Sequence, residues 1–193
     1  MPDEEQQDRD AELIRRSAAG DREAFSELVA RHGAEVFRFA CALASSEAAA
    51  EDALQEAFLS AWRGSASFRG ETSVRSWLLT IARNAVYRQH RRRAGEPETL
   101  ETLSELGLAA GWGAAEDPEA VLLRKESQEL FARGLEALDE TDREVLLLRD
   151  VEGLSGSEVA AVLGVSIAAM KTRLHRARLR FVSKVRETYE PAR

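Results

Sequence analysis

Seven cationic side chains fall between Lys171 and Arg186 (Lys171, Arg173, Arg176, Arg178, Arg180, Lys184 and Arg186), and no acid interrupts them before Glu187. Guanidinium and ammonium groups at this density bind phosphate, and a guanidinium can also pair bidentately with a guanine edge. A second set occupies 69–93, where Arg69, Arg75, Arg83, Arg88, Arg91, Arg92 and Arg93 stand against one acid, Glu71. A third set has the opposite sign. From Ala44 to Ala61 every charge, on Glu47, Glu51, Asp52 and Glu56, is acidic, which suits a basic partner. The alternative for each set is a solvated helix face, the usual fate of a charge run. Solvated faces mix signs, and these do not.

The elements that must position these groups read as helices. Ser155 and Glu158 have the spacing of a capping box, Val159, Ala160 and Leu163 supply an apolar side, and Gly164 stands where a chain leaving a helix needs a permissive residue. After the turn Gly164-Val165-Ser166, Ser166 can cap a second helix on which Met170, Leu174, Ala177 and Phe181 share one stripe. With Met170 inward, Ala168, Thr172, His175 and Arg176 fall on the far side and Lys171 and Arg178 on the flanks, facing a DNA major groove.

The other segments repeat the helical period, and β-branched runs are lacking. Asp21 can cap a helix through Phe25, Leu28, Val36 and Phe39, with Gly33 a local irregularity, and another helix starts near Ser46 and runs to Trp62. Gly64 to Ser73, GSASFRGETS, is a loop, followed by a helix from about Trp77 into the arginines. Residues 94–117 form an acidic, Gly- and Pro-punctuated linker with a short helical piece at 100–108. Further helices span Glu119–Leu138 and Thr141–Asp150, the latter opened by a capping box of Thr141 and Glu144. The expected fold is all-α, two small helical domains joined by a flexible acidic linker.

Twenty-seven basic against 34 acidic residues give a net charge of -7, which alone argues against nucleic acid. The charges are segregated, however: residues 94–130 hold nine acids against Arg124 and Lys125. Cys41, the lone cysteine, sits among apolar neighbours and reads as a small buried hydrophobe in a reducing compartment. One cysteine and three scattered histidines make no zinc site, and no apolar run reaches the roughly 20 residues that span a bilayer. With no Gly-rich phosphate loop and no nucleophile beside a base, the expectation is a soluble, intracellular protein that is not an enzyme, with no cofactor, no metal and no small-molecule substrate.

Four stretches in combination carry a family resemblance: AEDALQEAFLSAWR (50–63), FRGETSVRSWLLTIARNAVYRQHRRR (68–93), LDETDREVLLLRDVEGLSGSEVAAVLGVS (138–166) and MKTRLHRAR (170–178). The chain resembles the bacterial RNA polymerase sigma factors of the extracytoplasmic-function class, group IV of the sigma-70 family, which keep only regions 2 and 4. The resemblance implies an acidic N-terminal tail (1–10), a region 2 domain (11–93), the linker (94–117), a region 4 helix-turn-helix domain (118–187) and a C-terminal tail (188–193). It implies transcription initiation at a bipartite promoter by binding core RNA polymerase, at its clamp coiled coil and flap. The setting is the bacterial cytoplasm, at the nucleoid when polymerase-bound, with control by an anti-sigma factor and a role in stress response.

By the same resemblance Asp52, Gln55 and Glu56, three and four residues apart on one helical side, dock the clamp. Phe68, Arg69 and the helix after them open the minus-10 element. Chemically this requires an aromatic or apolar pocket for an unstacked base and cations along the displaced strand. Asn84 can read a base edge, and Arg75, Arg83, Arg88, Arg91 and Arg92 track the strand. Trp62 and Trp77 fall in phase with apolar neighbours and read as core, whereas Phe68 stands between stacking platform and core. For the minus-35 element, Lys171, Thr172, His175 and Arg176 are base-edge candidates, with Arg173 and Arg178 on phosphates. The chain has Ala168-Ala169-Met170-Lys171-Thr172-Arg173 where the family has Gly-Thr-Val-Lys-Ser-Arg, a departure that bears on phosphate contacts at Ala168 and Ala169 and on the promoter preferred. The linker's acids suit a basic channel, with Trp112 as a candidate anchor. A helix-turn-helix regulator would account for 154–181 alone, and a nucleic-acid-processing enzyme is a remoter alternative.

Overall fold

The computed structural model describes residues 2–93 and 128–189, and the regular structure there is helical throughout. The linker, Trp112, the helical piece at 100–108, the start of the second domain at Pro118 and the end of the C-terminal tail lie outside the described residues.

Four helices make the N-terminal bundle. Helix α1 (Pro2–Ala18) takes in the stretch read from sequence as an acidic tail, with proline at its first position, where a missing N–H is no loss. It is held by Leu13 and Ile14, both buried, and by Asp10, which accepts from Arg31 Nε at 2.8 Å and meets His32 Nε2 at 2.9 Å. Helix α2 (Arg22–Cys41) starts as expected at Asp21, whose Oδ1 accepts from the Glu23 and Ala24 amides at 3.0 and 3.1 Å. It runs unbroken through Gly33, so the expected irregularity is absent; one interior glycine costs about 1 kcal/mol relative to alanine and does not end a well-packed helix.

Ser46 caps α3 (Glu47–Gly64) through the Ala49 amide. A short 3₁₀ turn (Ser65–Ser67) leads into the loop 68–73, and Ser73 opens α4 (Val74–Arg93) by accepting from the Ser76 amide at 3.2 Å. Helices α3 and α4 pack against each other through small residues on both faces, Ala50, Ala53, Ala57 and Ala61 against Ala82, Ala85 and Val86. Cys41 is fully buried, as its neighbours foretold.

The C-terminal bundle comprises α5 (residues 128–136), α6 (Glu140–Leu146), α7 (Gly156–Leu163) and α8 (Ile167–Tyr189). The expected Thr141–Glu144 capping box does not form. Asp139 caps α6 two residues earlier by accepting from the Asp142 amide at 2.9 Å, and Glu144 is committed elsewhere. Nor does α6 reach Asp150 as regular α-helix: it widens into a π turn over Leu147–Val151, closed by the Glu152 amide on the Leu147 carbonyl. The Ser155–Glu158 box is present, and Gly164 ends α7 in the left-handed region at φ 65°, with the Val165 amide on the Ala160 carbonyl.

Met170, Leu174 and Ala177 of α8 are buried with Leu135, Leu138, Val145, Leu148 and Val159, and Phe181 is packed against them. In α7 the buried residues are Val159, Ala160 and Val162, while Leu163 is half-buried. Gly134 of α5 lies where any Cβ would collide with the Phe181 ring, so that helix crosses α8 closely only because the position is glycine. The two bundles meet along α4, against α7 and the end of the π turn.

Candidate nucleic-acid and polymerase interfaces

On α3, Asp52 and Gln55 are exposed while Glu56 is half-buried. All three line a cleft with Leu59, Ser60, Arg63, Gln89 and Arg92 between α3 and α4. Leu59, 55% exposed, was not singled out by the charge pattern; its place four residues after Gln55, on the polar side of the helix, is the signal that finds it. Glu56 faces the arginine helix: it accepts from Arg88 Nε at 2.9 Å and lies 3.9 Å from Arg92 Nη1. The acidic face and the end of the cationic helix therefore form one charged cluster.

In the loop, Phe68 is half-buried and its ring lies 5.2 Å from that of Trp77, so it packs on the core edge rather than standing free. Trp77 also lines a cleft with Ile81, Asn84 and Arg88, which brings the exposed Asn84 amide beside an aromatic wall. Trp62 is half-buried and packs edge-on against Phe25 at 5.1 Å. Arg69, Arg91 and Arg92 are exposed.

Arg75 and Arg83 are not. Arg83 grips Glu144 of α6, Nε to Oε1 at 2.6 Å and Nη2 to Oε2 at 3.2 Å, and Glu144 Oε1 also accepts from the Tyr87 hydroxyl at 2.8 Å. The Arg83 guanidinium stacks over the Tyr87 ring at 4.8 Å. Arg75 pairs with Glu35 of α2 and donates to the Glu152 carbonyl at 2.5 Å. Charge patterning gave no hint of these engagements, since Arg83 and Glu144 are 61 residues apart in sequence.

Glu35 and Glu152 belong to a buried network with Asp10, Arg31, His32, Arg38 and Arg75. Burial raises Glu152, and the facing Glu35 adds to this, so that it is pushed up to about 7. Burial also raises Glu35, but hydrogen bonds to His32 and Arg75 outweigh it and hold that carboxyl at about 2. For His32 burial alone lowers the pKa; Asp10 and Glu35 outweigh it and raise the imidazole to about 9.

On α8, Lys171, Thr172, His175, Arg176 and Arg178 are exposed and Arg173 is half-buried, as the inward Met170 dictates. The Thr172 hydroxyl donates to the Ala168 carbonyl at 3.0 Å. Arg176 Nη2 lies 3.7 Å from Asp142, and Arg178 makes a bidentate pair with Asp150 at 2.9 and 2.6 Å. Arg180 spans Asp139 and Asp142. Lys171, Arg173 and His175 make no ion pair among the described residues.

Residues 28–96 match Sigma-70 region 2 and residues 128–181 match Sigma-70, region 4. The RNA polymerase sigma factor CnrH of Cupriavidus metallidurans is 34% identical over 175 residues, 89% of this chain and 92% of that protein. The chain belongs to the sigma-70 family.

Within the family it falls in the extracytoplasmic-function class: the ECF RNA polymerase sigma-E factor of Escherichia coli K12 is 31% identical over 180 residues, 91% of this chain and 94% of that one. Among solved structures, CnrH in complex with the cytosolic domain of CnrY has a TM-score of 0.66 at 28% identity, covering 91% of this chain and 96% of that one. The sigma factor RpoE in complex with the anti-sigma factor NepR, from Bartonella quintana, also has a TM-score of 0.66, at 26% identity, covering 84% and 96%. No described helix of this sigma factor is long and apolar enough to cross a membrane.

Proposed function

We propose that this sigma factor binds core RNA polymerase through the Asp52, Gln55 and Glu56 face, extended by Leu59, and directs it to bipartite promoters. The region 2 domain, over 11–93, takes the minus-10 element with Phe68, Arg69, Asn84 and the α4 arginines. The region 4 domain, over 118–187, takes the minus-35 element with the outer face of α8. It works in the cytoplasm, by binding alone, with no covalent chemistry of its own. The observation that carries the reading is the coexistence in one chain of an acidic helix face and two cationic helices, in the order in which the two sigma-70 regions occur.

Contact chemistry supports the division of labour. The exposed Lys171 and His175 can reach a groove at once, whereas Arg178 must first leave Asp150 and so fits a phosphate at the rim. Two solved relatives are in complex with protein partners, the cytosolic domain of CnrY and the anti-sigma factor NepR, which supports a similar antagonist here. In vitro transcription with purified core polymerase on a genomic library tests the reading. Starts sharing a two-part upstream pattern are expected, and an absence of defined starts overturns it. Replacing Asp52 and Gln55 by alanine should weaken capture of core polymerase while leaving helicity unchanged. Equal capture removes both from the interface.

A further inference from the structure

The solvent side of α8 is less uniformly cationic than its composition suggests. At 100° per residue, the line opposite Met170, Leu174 and Ala177 runs through Ala168, Thr172, His175, Leu179 and Val182, and all five are exposed. The cations stand to either side, Lys171 and Arg178 on one flank, Arg176 and Arg180 on the other. Of the five large apolar residues that are exposed among the described residues, three, Ile167, Leu179 and Val182, belong to this helix. A helix that did no more than cover a core would keep its outer line polar.

Only the first part of that line can share a groove. Ala168 to His175 spans about 10 Å of helix axis, within the roughly 12 Å width of the major groove, whereas Leu179 lies about 16 Å from Ala168. Within the first part, the donor of Thr172 is already committed. Its hydroxyl donates to the Ala168 carbonyl at 3.0 Å, so the proton is spent on the helix, and what Thr172 adds to the outer line is its γ-methyl. Ala168 adds a β-methyl one turn earlier, about 6 Å away along the axis, the length of roughly two base steps.

We propose that the methyl groups of Ala168 and Thr172 form a subsite for thymine C5-methyl groups and set a preference for A·T pairs at two positions of the minus-35 element, within about two base steps of each other. This rests on the reading of α8 as the minus-35 surface. Thymine alone among the bases presents a methyl group in the major groove; the others present ring nitrogens, oxygens and amino groups there. Against thymine, the two side chains bury apolar surface on both partners. Against another base edge they strip water from a donor or acceptor and return no hydrogen bond, which costs more than a methyl contact gains. Ala168 has no rotamer freedom to lose on docking, and the β-branched Thr172 is held in place by its bond to the helix.

The test uses the full chain assembled with core polymerase, on a promoter recovered from its own transcript starts. Each thymine of the upstream element is replaced singly by 2′-deoxyuridine, which deletes the methyl group and keeps the base pair. Uridine at two positions should weaken complex formation by about fourfold each, the factor that burial of one methyl-sized group is worth. Thr172→Ser, which deletes the methyl and keeps the hydroxyl, should abolish the uridine penalty at one of these positions, and Ala168→Gly at the other. Thr172→Val, which keeps a methyl and deletes the hydroxyl, should retain the penalty, with helicity as a check that each variant is folded. Three results overturn the proposal while the minus-35 reading of α8 stands: an element without A·T pairs, a uridine penalty at no position, or a penalty that persists in folded Thr172→Ser and Ala168→Gly. Transversions throughout the element that leave complex formation unchanged overturn that reading itself.

Discussion

The two cationic helices meet their counter-charges in opposite ways. Helix α8 carries its acids locally: Asp139, Asp142 and Asp150, which pair with Arg176, Arg178 and Arg180, all belong to the same bundle, and most of the outer face stays open. Helix α4 pairs with Glu35 and Glu56 of its own bundle and, unlike α8, also borrows Glu144, Glu152 and Glu158 from the other. Local pairing orients a reading surface and leaves it available. Borrowed pairing ties the availability of a surface to the relation between domains, so one basic helix is poised and the other conditional.

The largest effect that sharpens this contrast is expected where a buried pair cannot be relieved by separation. Asp10 lies inside the N-terminal bundle between Arg31 and His32, and Asp10→Ala should cost about 3 kcal/mol in chemical denaturation, because the charges it leaves behind stay buried. Arg83→Ala strands Glu144 in the same sense, yet the chain can swing open to hydrate it, so the unfolding free energy should fall by much less. Equal losses for the two variants would mean that the bundles do not part, and the distinction between poised and conditional helices would go with them.

Next comes the reading surface itself. Arg176→Ala should cost roughly 1 to 3 kcal/mol at one minus-35 position in binding by the polymerase complex, with discrimination at that base relaxed. Arg178→Ala should cost less and act evenly across sequences, because its bidentate pair with Asp150 must break before a phosphate can be contacted. A uniform loss from Arg176→Ala removes it from base reading and leaves Lys171, Thr172 and His175 as the candidates.

Much of this architecture was legible in the sequence. The caps at Asp21, Ser46 and Ser155 form as their spacing predicts, and the Met170, Leu174, Ala177 stripe turns the outer face of α8 toward solvent. These signals are local, spanning one or two turns, where a side chain and the backbone it caps are neighbours in sequence. The failures arise where two local options compete or the partner is remote. Asp139 and Thr141 could both cap α6, and the earlier one won, which freed Glu144 for Arg83. The resemblance left 1–10 as an acidic tail, but Asp10 has two cationic partners on α2 that no window around it reveals. Likewise the arginines of α4 were visible as a basic run, whereas several of the acids facing them, Glu144 and Glu152 among them, come from a segment beyond the linker.

Protonation should move the conditional helix and leave the poised one alone. Glu152 is faced by Glu35, Arg38 and Arg75 from the N-terminal bundle, with His32, Asp10 and Arg31 behind them, while its neighbours Arg149 and Asp150 are engaged by the Leu154 carbonyl and by Arg178. In the closed chain its carboxyl is pushed up to about 7 from an ordinary 4.5, by burial first and by the Glu35 charge second. The closed form therefore binds more protons than an open one. Its advantage is complete below 4.5 and is lost as pH rises through 7, at a limit of about tenfold in the closed-to-open ratio per pH unit. Glu35 does not offset this, because its own contribution is lost only as pH falls from 4.5 toward 2, and His32 stays charged until pH rises toward about 9. Scattering at pH 5.5 and pH 8 should show the wild-type chain more compact in acid. Glu152→Gln, which resembles the protonated carboxyl, should remain compact at both. A wild-type chain whose dimensions ignore pH in this window, or a glutamine variant that follows it as before, would show that Glu152 does not govern the contact between the bundles and leave Glu144 and Glu158 as the acids on α4.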